Sequence, residues 1–383
     1  MKTSVFAAVR GIATGLVLAL AGSVVAVSAA HADDIRIGQY VSLTGTTATF
    51  GQSMNKGVTM AVEEANAAGG VLAKKINLIT EDDQSKPEEA KTAAIKLIKQ
   101  QRVVALLGEI ASSRSLAAAP EAQKAGIPMV TPASTNPKVT QVGDYIFRTC
   151  FIDPFQGSTM AKFAHDTLKA NQVAILKDVK NDYSVGLAEF FEKTFTALGG
   201  QIVATESYSE GDTEFRAVLT AIRAKNPQAI YVPGYYTEVG LIARQARELG
   251  LKVPLLGGDG WDSEKTLEIG GDAVNGSYYT NHLSAEDPSP VVQGFIQKYK
   301  AKNGEVPDAM AVLGYDAARI LIDAIKRAGS TEGAKIRDAL AQTKDFPGVS
   351  GSITIDADRN SKKNIVVLKI EGGKVKFQTS IAP

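Results

Sequence analysis

Ala125-Gly126-Ile127-Pro128-Met129-Val130-Thr131-Pro132-Ala133-Ser134-Thr135 contains the local pattern that decides the fold. A helical pattern stops at a glycine, a short apolar run follows, and a turn of small hydroxyl residues leads into the next helix. Glycine can take the left-handed conformation that ends a helix without a Cβ penalty. The same join of helix, glycine and strand recurs at Ala68-Gly69-Gly70, Leu198-Gly199-Gly200 and Leu249-Gly250-Leu251. Strands that alternate with helices of this length need crossover connections. The expected fold class is therefore α/β, built on mostly parallel sheets with helices on both faces.

Outward from that stretch, residues 35–41, 75–80, 103–107, 172–176, 201–208, 229–232 and 254–256 read as further strands. Residues 103–107 form a continuous apolar run, as expected for a strand buried on both sides. Helical spacing links Met54, Val58, Ala61, Val62 and Ala65, and later Val185, Ala188, Phe191, Phe195 and Leu198. Ser85-Lys86-Pro87-Glu88 reads as a capping box that opens a helix. The pattern forms two similar α/β units, one before about residue 150 and one after. The tail differs: residues 291–302 and 310–328 read as helices, and residues 351–356, 364–370 and 374–379 as short strands around turns.

The 383 residues suit two domains better than one. Lys2 and Arg10 are the only charges before Asp33, and residues 11–30 are uncharged and rich in Ala, Val, Leu and Gly. This stretch ends in Ala30-His31-Ala32, a small-x-small exit. The pattern predicts a secretory signal peptide over residues 1–32, cut after about Ala32, in preference to a membrane anchor. The expected location is the periplasm. Removing the leader leaves 351 residues with a net charge of −1. Such balance excludes bulk attraction for nucleic acid. A single cysteine, Cys150, permits no internal disulfide and no Cys-rich metal site.

Catalytic and cofactor motifs are not found. No Gly-x-Gly-x-x-Gly or Gly-x-x-x-x-Gly-Lys-Ser/Thr run exists, and Gly51-Gln52-Ser53-Met54-Asn55 fails the Gly-x-Ser-x-Gly elbow at its last position. The three histidines, His31, His165 and His282, are far apart, so a His-built metal site is not expected. Asp82-Asp83 and Glu63-Glu64 read as acids on solvated faces. The expectation is a protein without enzymatic activity, metal or cofactor.

Small polar residues at strand ends remain, where open α/β sheets bind ligands. Ser112-Ser113 opens a helix after one strand, and Thr131 to Thr135 follows another. Each turn alone reads more readily as a helix cap, but together they make a cradle for a carboxylate. In the second unit, Tyr231-Val232-Pro233-Gly234-Tyr235-Tyr236 and Gly257-Gly258-Asp259-Gly260-Trp261 occupy equivalent positions. Asp259 is placed either to meet an ammonium or to stabilise a turn. Trp261 is either a site wall or core packing.

These turns, with Leu43-Thr44-Gly45, Phe50-Gly51, Asn66-Ala67-Ala68-Gly69-Gly70-Val71, Asp82-Asp83 with Pro87, and Tyr183-Ser184-Val185-Gly186, stand in an order and spacing that resemble the type I periplasmic binding proteins. The nearest likeness is to the leucine/isoleucine/valine-binding branch of ABC-transporter solute receptors, and it covers nearly all of residues 33–383. The resemblance implies two lobes joined by three crossings. The expected division is residues 33–153 plus 283–360 in the first lobe and 154–282 plus 361–383 in the second. It implies that Ser112 and Thr135 hold a ligand α-carboxylate through hydroxyl and backbone N–H, with the Ala133 carbonyl, the Thr135 hydroxyl and the Asp259 carboxylate near the α-ammonium. Tyr183 and Tyr235 would close from the second lobe, and Phe50 would line the side-chain pocket. Separately, Phe50, Phe151, Tyr183, Tyr235 and Trp261 together can form a bulky aromatic wall. Relatives often carry Glu at the Asp259 position and Tyr at Phe50, and a Cys pair where this chain has Ser85 and Ala111. The function implied is capture of a neutral aliphatic amino acid by a monomer and delivery to a membrane permease. The alternatives are an aromatic acid, amide or urea as ligand, or a sensor that presents ligand to a signalling receptor.

Overall fold

The computed structural model describes residues 34–383, and the expected leader lies outside them. A first sheet holds five strands, β1 (Ile35–Val41), β2 (Ile76–Asp82), β3 (Ala105–Leu107), β4 (Met129–Thr131) and β5 (Ile146–Arg148), in the order β2-β1-β3-β4-β5. All its pairings are parallel. β3 is Ala-Leu-Leu with no exposed residue, as a strand covered on both faces must be.

A second sheet starts with β6 (Gln172–Asp178), β7 (Gln201–Tyr208), β8 (Ala229–Tyr231), β9 (Leu255–Gly257) and β10 (Tyr278–Asn281). A hairpin of β11 (Phe346–Gly348) and β12 (Gly351–Ile353) follows. β13 (Ile365–Glu371) and β14 (Lys374–Ile381) then complete the second sheet, in the order β14-β13-β10-β9-β8-β6-β7. Only β13 runs against the others, antiparallel to β10 on one side and to β14 on the other. Gly126 at φ +65° and Gly250 at φ +78° occupy the left-handed turns expected at those joins.

The strand order fixes where a ligand can sit. The order in which strands are added reverses between β1 and β3 in the first sheet and between β6 and β8 in the second. At such switch points adjacent connections leave in opposite directions and open a crevice at the carboxyl ends. The chain passes between the two sheets' layers after β5, after β10 and before β13. After the second passage, the helix Ala309–Ala328 packs along the helix Ala48–Ala67 of the first layer. Gly57 permits this approach, since a Cβ there would lie 2.0 Å from the Ala311 carbonyl oxygen. Met310 is thereby carried to the crevice.

The capping box at Ser85 is not formed. Lys86 is the cap residue and makes no side-chain cap bond. Ser85 sits at φ +58°, and its hydroxyl donates to the Thr44 carbonyl at 2.8 Å and accepts from the Thr47 amide at 3.2 Å. The loop after β1 takes the hydroxyl that the helix would have used.

Candidate functional site

Six strand ends converge on one small enclosed space. Phe50 comes from the segment after β1, Ile110 from that after β3, Ala133 after β4, Tyr183 after β6, Tyr235 after β8, and Asp259 with Gly260 after β9. Met310 closes the last side. The enclosed volume is about 10 Å³, the room of roughly one water molecule. Phe50 meets Tyr235 edge-on at 6.1 Å and Tyr236 at 4.8 Å, and Tyr183 stacks on Tyr235 at 5.3 Å.

The donor side belongs to the first sheet. Ser112 is the first residue of the helix Ser112–Ala125, and Ala111 before it makes no side-chain cap bond. The Ser112 hydroxyl accepts from the Asn136 amide at 3.1 Å, which brings it beside Thr135. Thr135 Oγ1 is buried and faces the Asp153 carboxyl, whose charged form it favours, without a partner at full hydrogen-bond distance. Neither hydroxyl belongs to the wall of the small space; both stand behind Ile110 and Ala133 in sequence.

The acid side differs from the lone carboxylate expected at Asp259. Oδ1 accepts from Tyr183 Oη at 2.9 Å and Gln156 Nε2 at 3.0 Å, and Oδ2 contacts His282 Nε2 at 3.0 Å. A carboxylate offers about four acceptor positions, so one stays free on Oδ2. Gln156 Oε1 in turn accepts from the Asp259 amide and the Thr280 hydroxyl. Asp259 is 3% exposed, and no Lys or Arg reaches it among the described residues. Burial pushes the Tyr183 phenol well above its ordinary value, and the Asp259 charge adds to this, so Tyr183 stays a donor. Burial also pushes the nearby Asp153 carboxyl up to about 7.

Trp261 is not a wall of this space. Its ring lies in the core of the second unit, stacked with Tyr279, and its indole N–H donates to the Val232 carbonyl at 3.0 Å. The core offers the large ring both apolar contact and an acceptor, so the packing reading of Trp261 holds. The ring also borders a separate groove of about 570 Å³. Of the acids along it, Asp262 is taken up by the Tyr279 hydroxyl and the Ala309 amide.

Asp83 is not on a solvated face. It is fully buried, its Oδ1 lies 2.7 Å from Ser42 Oγ, and it accepts from the Ser85 amide at 3.0 Å. Ser42 also donates to Glu109 at 2.9 Å, and Glu109 accepts from Arg114 Nε at 3.0 Å and the Ala111 amide at 2.5 Å. Arg114 continues to Thr47 Oγ1 at 2.6 Å. This cluster braces the loops that carry Phe50, Ile110 and Ser112. Glu109 and Arg114 stand singly among uncharged residues and carry no local signal, whereas Asp83 reads in the sequence only as part of a solvated acidic pair.

Several hydrogen bonds cross between the two sets of loops around the small space. Thr237 Oγ1 donates to the Thr46 carbonyl at 2.9 Å, and the Thr49 amide to Tyr236 Oη at 3.1 Å. The Asp182 amide donates to Ser113 Oγ at 2.8 Å, and Asn136 Nδ2 to the Asp182 carbonyl at 2.7 Å. Thr46 Oγ1 also contacts Glu210.

Comparison with known proteins adds to this geometry. Residues 34–374 match the family model described as "Periplasmic binding protein". The Leu/Ile/Val-binding protein BraC3 of Rhizobium johnstonii is 33% identical over 350 residues, 90% of this chain and 94% of that protein. The structure of a leucine-binding protein LivK from Thermotoga maritima superposes with a TM-score of 0.88 at 44% identity, covering 91% of this chain and 99% of that one. The branched-chain amino acid substrate-binding protein LivJ from Streptococcus pneumoniae, in complex with isoleucine, gives 0.87 at 35% identity over 92% and 100%.

Proposed function

Because the chain belongs to the periplasmic binding protein family, we propose that it is an exported solute receptor that captures a neutral, branched aliphatic amino acid between its two lobes and hands it to an ABC-transporter permease. The observation that carries this reading is Asp259. It is a buried acid with three uncharged neighbours and one free acceptor position, beside a space otherwise walled by Phe50, Ile110, Ala133, Tyr183, Tyr235, Gly260 and Met310. A buried carboxylate without a counter-ion is costly, and a ligand ammonium removes that cost. Ser112, Thr135 and the uncapped helix start at Ser112 are suited to the opposite end of the same zwitterion. The similarity to leucine- and isoleucine-binding proteins supports the same ligand class.

The mechanism is binding coupled to closure. About 10 Å³ does not admit an amino acid, so entry requires the loops of the two lobes to separate. The bonds from Thr237 to Thr46 and from Asp182 to Ser113 break in that opening and reform on closure. A ligand that touches both sides favours the closed state by its differential affinity for it. Micromolar affinity corresponds to about −8 kcal/mol. Charge-assisted hydrogen bonds at about 1.5–3 kcal/mol each, with burial of an aliphatic side chain, are sufficient for it. No step requires bond chemistry or a cofactor.

A thermal-shift screen against all amino acids, aromatic acids, simple amides and urea tests the assignment. Leucine, isoleucine or valine at a hundred times Kd should add about 2.7 kcal/mol to the native state and raise Tm. A response to aromatic acids alone would replace the ligand class, since an aryl carboxylate leaves Asp259 without its cation.

A further inference from the structure

His282 was read from the sequence only as one of three scattered histidines, yet its ring stands between the ligand site and the hinge. It follows β10, in the second passage between the lobes. Its Nε2 lies 3.0 Å from Asp259 Oδ2. Its face stacks on Phe151 at 3.8 Å and 17° between planes, and Phe151 lies in the first passage, after β5. The ring is thus held by two of the segments that bend when the lobes move, and it touches the acid proposed to receive the ammonium.

We propose that His282 is a positioning residue of the ligand site: from the hinge it holds the Asp259 carboxylate in the orientation that leaves one Oδ2 acceptor position for the ligand. This inference rests on the solute-receptor reading above. Alignment of Asp259 then depends on the geometry of the hinge, which links capture of the ammonium to closure. The neutral ring serves this role with its proton on Nε2. Its Nδ1 is buried and has no partner, so a second proton there would have no acceptor. An imidazolium would also give Asp259 a resident cation and compete with the ligand for it.

The charged groups facing the ring are Asp259, Lys363 and Asp262. Burial, aided by Lys363, lowers the His282 pKa, against the opposing effect of Asp259. The imidazole is therefore neutral at pH 7 and gains its proton only on acidification below its ordinary range. A proton that must leave for ligand to bind weakens affinity by up to about tenfold per pH unit below that pKa.

The test uses the full mature chain, leucine as probe, and the variants His282→Gln and His282→Phe. Calorimetry from pH 7.5 to 5 should show His282→Phe, which keeps the stack and loses the donor, weakened about tenfold or more at pH 7.5, in a protein that keeps its native fold with a ligand-free Tm lowered by the bond Asp259 loses. His282→Gln, which restores an N–H donor, should recover most of that loss and show a shallower decline in acid than wild type. Ligand-free protein supplies a separate readout, the ring-nitrogen NMR signals of His282 with and without Asp259→Asn. Expected is an Nε2–H tautomer whose signals move in the variant. Wild-type affinity in His282→Phe across the pH range, or His282 signals indifferent to Asp259→Asn, would overturn the proposal. A wild type that binds no amino acid would instead overturn the solute assignment.

Discussion

Glu109 in the first lobe and Asp259 in the second are both buried acids just beyond a strand end, and they are compensated in opposite ways. Glu109 is paired with Arg114 at 3.0 Å and takes two backbone amides and a serine hydroxyl as well. Asp259 takes a phenol, an amide side chain and an imidazole, and no fixed cation among the described residues. Uncharged donors orient a carboxylate and soften its desolvation, but they leave its charge in place. Glu109 therefore belongs to the frame of the site, whereas Asp259 remains able to attract a cation from outside. Burial without a cation does not by itself mark a binding acid, since Asp178 and Glu238 are buried without an ion pair among the described residues too; Asp259 is set apart because it also lines the small space between the loops.

The largest effect should follow from removing the frame's cation. Arg114→Leu leaves Glu109 buried without its counter-ion, with Asp83 close by, and should destabilise the ligand-free protein by about 3–5 kcal/mol in a denaturant titration. Asp83 is already pushed up to about 8 by burial and by the Glu109 charge, so the pair has little tolerance for losing Arg114. A loss under 1 kcal/mol would mean that Glu109 is held by its neutral donors alone, and the contrast with Asp259 would disappear.

Asp259→Asn should do the reverse. Ligand-free stability should change little, because the amide oxygen can still accept from Tyr183 and Gln156. Leucine affinity by calorimetry should fall about a hundredfold, equivalent to about 2.7 kcal/mol. An unchanged Kd would remove Asp259 from the ammonium role.

The two acids also differ in how far they were legible in the sequence. Asp259 stands between glycines at a strand end beside the only tryptophan, and its position in the series of turns marked it. Glu109 and Arg114 have no such surroundings, and their pairing depends on a helical turn folding back over the strand end. The α/β alternation was readable because glycine joins and apolar runs are local: β1 and β7 have the expected bounds. β5 and β10, four residues or fewer each, were not anticipated, because a short strand is defined by its neighbours in the sheet. Met310 and His282 reach the site through the late return of the chain across the hinge, which no local pattern encodes. Trp261 is open to two local readings and Ser85 to one, the capping box; tertiary contacts decided the first and overturned the second.

On the donor side of the cleft, Thr135 offers a smaller and cleaner test. Its hydroxyl is buried with no partner at hydrogen-bond distance and only the Asp153 carboxyl facing it, so it contributes little to the ligand-free state. Thr135→Val keeps the shape and removes the orphan group. Ligand-free Tm should hold or rise, while leucine affinity falls about tenfold for one lost bond to a carboxylate. A fall in both would make Thr135 part of the frame, as Arg114 is.

The smallest effect should come from a pair that is shorter than the Glu109–Arg114 pair yet exposed. Lys56 Nζ lies 2.6 Å from Glu305, with side chains 39% and 45% exposed. If separation governed the value of an ion pair, Lys56→Met would cost more than Arg114→Leu. Water screens the exposed pair and solvates whichever partner is left, whereas Glu109 without Arg114 has no water to turn to. Lys56→Met should therefore shift unfolding free energy by no more than about 0.5 kcal/mol, and high salt should erase even that. A cost near that of Arg114→Leu would mean that pairing, not the loss of solvent, sets the value of charge in this protein. The reasoning that gives Asp259 its role would fail with it, because that role depends on what a buried charge lacks.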